Sequence, residues 1–308
     1  MDATAKQKTP RQNKNIVMIF YKYQGAGNDF LIADNRDGHL TETGGVLYCE
    51  ATGWSKPIAE ICDRRYGVGA DGLMLLEDSD KYDFRMTYYN SDGSGGMMCG
   101  NGGRCIVAFA ADRGIGHFDF DAADGFHSAN IIKDDHGVKT VCLKMKDVQG
   151  MKRYDRLAGV SVPSQGYFLD TGTRHYVRFV QGLDSYDIVS EGRNIRFKAH
   201  QLEPLGANVN FVEPQEEGVI KVRTYEKGVE DETFACGTGI VASAMASYVH
   251  GVRPRISEND NGHINAMYTV HAKRDILAVS FDVVPGNEWV VENVWLTGPA
   301  SFVAEIHI

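Results

Sequence analysis

The sequence predicts an α+β protein of two pseudo-symmetric domains, each a mixed β-sheet or barrel wrapped around a central helix. Three observations carry this. First, one unit occurs twice. Gly69-Ala70-Asp71 precedes the apolar run Leu73–Leu76, and an alternating segment, Phe84–Tyr89, then leads to Cys99-Gly100-Asn101-Gly102. Gly206-Ala207-Asn208 precedes Val209–Val212, and the alternating Ile220–Gly228 leads to Cys236-Gly237-Thr238-Gly239. Asp71 to Cys99 and Asn208 to Cys236 both span 28 positions, and matched elements in one order mark a duplication. Second, the runs after the cysteines, Asn101 to about Arg113 and Gly239 to about His250, are apolar nearly all round. A helix without a polar face has to be enclosed. Third, the segments that would enclose them alternate with the period of strands. At 308 residues the chain is long enough for two cores.

In chain order, Met1 to Asn15 is polar and mildly basic, and is expected to be a disordered tail. Ile16–Tyr23 reads as a first strand, with Asn28 and Asp29 in the turn before the short strand Leu31–Ala33. Asn35–Trp54 is polar and Gly-rich, a surface insertion or hairpin. Lys56–Arg65 reads as a short helix ended near Gly67, with Ile58, Ala59 and Ile61 inward and Cys62 in the core. Arg104, the one charge on the first apolar helix, is expected to pair with a carboxylate rather than touch substrate. Alternation over Asn130–Val148 gives further strands, and Gln149-Gly150 is a plausible joint between the halves. Tyr167–Val177 reads as strand, turn, strand; Pro254–Asp260 as a polar loop; Ala266–Val270 and Ile276–Phe281 as strands.

Composition narrows the function. A net charge of −9 and no basic patch interleaved with aromatics argue against a nucleic-acid or membrane-surface partner. No apolar run approaches membrane length, and the first residues lack the apolar stretch of a secretory signal. Six irregularly spaced cysteines do not form a disulfide framework, so a cytoplasmic protein with reduced thiols is expected.

The chemistry sits at the two cysteines. Each is set in glycines at the start of a helix, where unpaired amides bind an anion and the local potential lowers a thiol's pKa. The bland alternative is a small apolar residue buried in a Gly-rich turn. The duplication tells against it: two equivalent thiols facing one another would flank a single carbon. One, as thiolate, would take a proton from one face while the other, as thiol, supplies one to the opposite face. That is inversion at a carbon acid, a racemase or epimerase needing neither metal nor PLP.

Several blocks resemble the diaminopimelate epimerase family: Gly25-Ala26-Gly27-Asn28-Asp29-Phe30, Gly67–Gly72, Asn90-x-Asp92-Gly93-Ser94, Met98–Gly102, Ala207–Phe211, Tyr225-Glu226, Ala235–Gly239 and Leu296–Ala300. They run in family order from about position 20 to the chain's end. The resemblance implies interconversion of LL- and meso-diaminopimelate for lysine and cell-wall precursor biosynthesis. It puts the site in a cleft between two domains: 16–148 with 297–308, carrying Cys99, and 149–296, carrying Cys236. Cys99 and Cys236 are the acid–base pair. Backbone amides of Gly100, Asn101, Gly237 and Thr238 hold the α-carboxylate. Asn28, Asn90, Asn208, Glu226 and Lys227 read the distal end, with Thr173 and His175 behind or beside the substrate. Domain closure and a homodimer are expected. The chain departs from the family at Gly72, where many members carry a polar side chain; at Thr173-Arg174, which replaces Asn-Pro or Ser-Pro; and at Lys227, which replaces arginine.

Two rivals stand beside this reading. One is a racemase or epimerase of the same fold acting on proline, hydroxyproline or histidine. The other is a non-catalytic ligand-binding, redox or metal protein using the same two thiols, although metal sites usually need three or four ligands.

Overall fold

In the computed structural model, residues 17–160, 165–258 and 264–308 are described. The expected tail, residues 1–15, lies outside them. The chain begins with β1 (Ile19–Gly25) and β2 (Asn28–Asp34), then a small meander, β3 (Thr41–Thr43), β4 (Val46–Cys49) and β5 (Trp54–Pro57). After α1 (Ile58–Cys62) come β6 (Gly72–Glu77), β7 (Phe84–Asn90), α2 (Gly100–Asp112), β8 (Phe118–Ala122), β9 (Gly125–Asp135) and β10 (Val138–Lys144). The rest comprises β11 (Met151–Tyr154), β12 (Gly166–Asp170), β13 (Arg174–Phe179), α3 (Ile188–Lys198), β14 (Asn208–Pro214), β15 (Val219–Glu226) and β16 (Asp231–Thr233). It ends with α4 (Gly237–His250), β17 (Arg255–Glu258), β18 (Ile264–His271), β19 (Ile276–Val283) and the long β20 (Val291–His307).

Strand pairing makes two rolled sheets. In the first, β1 pairs β2, β2 runs parallel to β6, and the ladder continues through β7, β8, β9 and β10 to β20, which returns to β1. The ring closes around α2. In the second, β11–β12–β13 continues, parallel, to β14, then β15, β18 and β19, and reaches β20 again. A bridge between Val148 and Val291 brings the start of this sheet back to β20 as well, so it wraps α4. One strand thus serves both rolls: its N-terminal half pairs β19, and its C-terminal half pairs β1.

The enclosure follows from the helices' sequences. Every residue of α2 from Gly100 to Ala110 is buried, and α4 buries Gly237 and Gly239–Ser247. Their side chains share one continuous core with the inward faces of both sheets. Gly251, in the left-handed region at φ 91°, ends α4.

The duplication appears as matching topology: a parallel pair, a hairpin, then a helix behind a cysteine. Its equal 28-residue spacing, however, divides differently in the two halves. Gly72 lies opposite Asn90, but Val209 lies opposite Tyr225, a hairpin two residues shorter that is offset by a longer approach to Cys236.

Several local expectations are corrected. Asn28 opens β2 rather than lying in the turn. The turn is Ala26-Gly27, both at positive φ (52° and 92°), and Gly25 pairs Asn28 across it. The helix expected over Lys56–Arg65 is only the five residues of α1, because Asp63 returns to extended backbone. Its inward residues are Ile58, Ile61 and Cys62, while Ala59 is exposed. Arg255–Glu258, read as loop, is a strand on the edge of β18. The Asn35–Trp54 insertion is the three-stranded meander, whose Leu40, Leu47 and Cys49 form a side core with α1.

Candidate active site

A cavity of about 750 Å³ opens between the two rolls, and both Cys99 and Cys236 line it. Each cysteine is the N-cap of its helix, in extended backbone just before the first turn. The helix starts meet head to head: a Cβ on Gly237 would lie 3.3 Å from the Gly100 Cα, and Leu296 of the shared strand touches both glycines. A side chain at Gly237 would press on the facing helix start, and one at Gly100 would displace Leu296, 2.9 Å from its Cβ. As first-turn residues, Gly100, Asn101, Gly237 and Thr238 have no acceptor for their amides within their own helices, and all four line the cavity.

Around Cys99, the sulfur accepts the Gly102 amide at 3.3 Å. A side chain at Gly102 would crowd that sulfur, since its Cβ would also stand at 3.3 Å. Asn101 crosses between the halves, donating from Nδ2 to the Ala235 carbonyl at 2.9 Å, next to Cys236, and also to the Asn28 side chain. Asn28 donates in turn to Asp71 at 2.9 Å, and Arg64 bridges Asp71 and Asp29. Behind Asn101, Arg104 is wholly buried and donates to Asn101 Oδ1 and to the Gly100 and Pro299 carbonyls. The expected carboxylate partner is absent among the described residues: the acceptors are neutral.

Around Cys236, the polar support is of another kind. The sulfur lies 3.4 Å from the Thr238 hydroxyl, which also contacts His175 Nε2 at 2.9 Å and the Thr173 hydroxyl at 3.0 Å. Asn210 Oδ1 accepts the Thr224 hydroxyl, so its Nδ2 donates to His175 Nδ1 at 3.0 Å, which leaves the ring proton on Nε2 facing Thr238. Burial drives the His175 pKa down to about 3, so the ring is neutral. His175 does not line the cavity; Thr173 does.

At the far end, Asn208 fastens two segments: Nδ2 donates to the Arg174 carbonyl at 3.1 Å, and Oδ1 accepts the Lys227 amide at 2.8 Å. Asn90 donates to the Ser94 hydroxyl at 3.0 Å within its own turn. Asn90, Asn208, Glu226 and Lys227 all line the cavity, and burial pushes the Glu226 carboxyl up.

The expected lowering of the thiols is reversed. Burial pushes both up, Cys236 to about 12. Enclosure between two sheets removes water from the sulfurs, and this outweighs the amide and hydroxyl hydrogen bonds that favour thiolate. All six cysteines are free thiols.

Residues beyond the predicted set also line the cavity, notably Tyr88, Asp71, Arg174, His127 and Lys144. Tyr88 explains a departure seen in the sequence. A Cβ on Gly72 would lie 2.4 Å from its ring, and one on Gly96 would lie 2.2 Å from it. The ring fills the slot between two glycines where a longer residue at 72 would stand. The signal was present in sequence as a bare glycine facing an aromatic strand, and only the register reveals it. Among the described residues, no group of three or more His, Cys, Asp or Glu is arranged to hold a metal, and no helix is long and apolar enough to cross a membrane.

Two rolled sheets, each around a helix with the cleft at their helix starts, define a fold shared with a phenazine biosynthesis protein of the PhzF family from Bacillus anthracis (TM-score 0.63, 16% identity, 95% of this chain and 99% of that one). A hydroxyproline epimerase from Agrobacterium vitis, solved with trans-4-hydroxy-L-proline, shares it too (TM-score 0.61, 14% identity, 96% and 94%). The diaminopimelate epimerase family model matches residues 20–146 and 167–273. The chain is 39% identical to the diaminopimelate epimerase of Flavobacterium psychrophilum over 94% of its own length and 100% of that protein's. It is 42% identical to that of Chlorobaculum tepidum over 73% and 81%, and 37% identical to that of Aquifex aeolicus over 85% and 92%. The chain belongs to the diaminopimelate epimerase family.

Proposed function

We propose that the protein interconverts LL- and meso-diaminopimelate, without a cofactor, by proton transfer between two thiols, and so supplies lysine and cell-wall precursor synthesis. The observation that carries this reading is the pair of cysteines at two abutting helix starts that open into one cavity. The α-carboxylate lies on the first-turn amides of Gly100, Asn101, Gly237 and Thr238, which stabilise the charge that develops as the α-carbon loses its proton. Cys99 and Cys236 stand on opposite faces of that carbon; one accepts a proton and the other donates. Asn28, Asn90, Asn208, Glu226 and Lys227 read the distal amino-acid end, with Arg174 a second cation on the same rim. Closure of the two halves dries the site. The halves divide as 16–148 with 297–308 and 149–296; the return of β20 to β1 supports this division.

A cytoplasmic setting fits six free thiols, two of which must stay reduced. A homodimer fits exposed apolar residues on neighbouring strands of the first sheet, Ile19, Val138, Phe302 and Val303.

The test is loss of α-deuterium from labelled diaminopimelate, with proline and hydroxyproline alongside. Diaminopimelate is expected to exchange, and Cys99→Ala and Cys236→Ala are each expected to cut turnover by roughly 10²–10⁴-fold, the range of a lost general acid or base. If proline exchanges and diaminopimelate does not, the substrate assignment fails; if either alanine variant keeps full activity, the mechanism fails.

A further inference from the structure

The helices α2 and α4 correspond position for position at their starts: Cys99 with Cys236, Gly100 with Gly237, Asn101 with Thr238 and Gly102 with Gly239. Four residues past the cysteine the correspondence breaks, with Gly103 and then Arg104 in α2 where α4 has Ile240 and the apolar Val241. Arg104 and Val241 are both wholly buried. The Arg104 guanidinium donates from Nη1 to the Gly100 carbonyl at 3.1 Å, from Nη2 to Asn101 Oδ1 at 2.9 Å and from Nε to the Pro299 carbonyl at 3.3 Å. These bonds give each guanidinium nitrogen a neutral acceptor but leave its charge uncompensated, and no carboxylate makes an ion pair with it among the described residues. An unpaired buried charge is expensive, and arginine cannot escape by losing its proton.

The titratable groups that act electrostatically on Arg104 are Cys105 and Cys99 on its own helix and Asp275 in the β18–β19 turn. Of these, only Cys99 lines the cavity. We propose that Arg104 is the built-in counter-charge of a Cys99 thiolate, so that Cys99 ionises before Cys236 and serves as base while Cys236 stays a thiol. The inference rests on the two-thiol reading above and adds to it a direction: the site is symmetric in backbone and asymmetric in charge.

The other groups around Cys99 set the balance. Tyr88 on β7, Glu226 on β15, Cys105 on α2 and Cys236 on α4 all disfavour its ionisation when themselves ionised. The Gly102 and Asn101 amides and Arg104 favour it. Around Cys236 stand Glu226 and Cys99, with the Thr238 hydroxyl and Gly239 amide in support. Burial pushes both thiols up, and at Cys99 the Arg104 charge works against it.

The experiment is alkylation of the unliganded full-length protein with iodoacetamide from pH 5.5 to 9.5, each cysteine quantified by mass spectrometry. Cys99 is expected to titrate at least one pH unit below Cys236, which is about tenfold faster labelling at neutral pH. Arg104→Gln is expected to raise the Cys99 midpoint by about a unit or more, and to move the acid limb of kcat/KM the same way. Arg104→Lys, which keeps the charge, is expected to restore much of the shift. An unchanged Cys99 midpoint in folded Arg104→Gln overturns the role of Arg104. Should that variant not fold, coincident or inverted midpoints for the two cysteines in the unaltered protein overturn the proposal. Labelling reports ionisation whether or not diaminopimelate is the substrate, so failure here is distinct from failure of the assigned activity.

Discussion

At Gly72 the absence of a side chain is a positive feature, because Tyr88 occupies the space. A glutamine there would collide with the ring and, at 2.6 Å, with the Tyr89 carbonyl, so Gly72→Gln is expected to fail even where Tyr88 is reduced. Tyr88→Phe tests whether the hydroxyl meets the ligand: KM is expected to rise several-fold, about 1 kcal/mol for one hydrogen bond, with kcat little changed. An unaltered KM would make Tyr88 a space-filler. His175 makes a prediction of another kind. Its folded pKa, about 3, lies below the ordinary value of 6.5, so between these values the unfolded chain binds the proton and the folded one does not. Stability is therefore expected to fall as pH drops from about 6.5 toward 3, by up to about 1.4 kcal/mol per pH unit from this group. His175→Gln should flatten that slope in denaturant midpoints measured between pH 4 and 7; an unchanged slope would mean that other groups govern it. Both cysteines, and the asparagines that line the cavity, could be read from sequence because they sit in Gly-rich blocks at strand ends. Tyr88 was missed, and Arg104 was given a carboxylate partner it lacks, because their roles depend on what lies across a strand pair or behind a helix.

The hairpin of β1 and β2 shows how an element is held beside the site. Burial raises the Asp29 carboxyl, but bonds from Arg64 and Lys22 outweigh it and hold the pKa at about 2. The stability this contributes is complete above about pH 4 and lost as pH falls toward 2. Because Arg64 is half exposed, Asp29→Asn is expected to cost only about 1 kcal/mol at pH 7, and less near pH 2, by urea denaturation at the two pH values. Equal costs would remove the ion pairs as the cause. Elements were legible where periodicity was strong, as in α2, α4 and most strands. The helix α3 was missed although Ile188, Gly192 and Ile195 follow helical spacing and Asp187 caps it by accepting the Ser190 amide. With so few buried residues, and a glycine where the helix crosses Tyr225, its apolar stripe is thin. Arg255–Glu258 was missed because an edge strand needs no apolar alternation to pair.

For the whole molecule, β20 is the element that makes two rolls one enzyme. Leu296, wholly buried on that strand, touches the glycines at both helix starts. Leu296→Ala is expected to cost about 2–5 kcal/mol and to lower kcat beyond what the thermal loss explains, because it loosens the contact between the two helix starts that carry the cysteines. The two-roll plan was visible in the duplicated blocks and in helices too apolar to face water. That a single strand closes one roll and pairs into the other was not derivable from periodicity, since it depends on long-range pairing. The central claim is that two thiols address one carbon from opposite faces, and isotope partition tests it most directly. In deuterated water, with LL-diaminopimelate as substrate, early product is expected to carry solvent deuterium at the inverted centre while the remaining substrate keeps its hydrogen. Deuterium appearing in recovered substrate as fast as in product would mean that one exchanging base serves both faces, and would contradict the account.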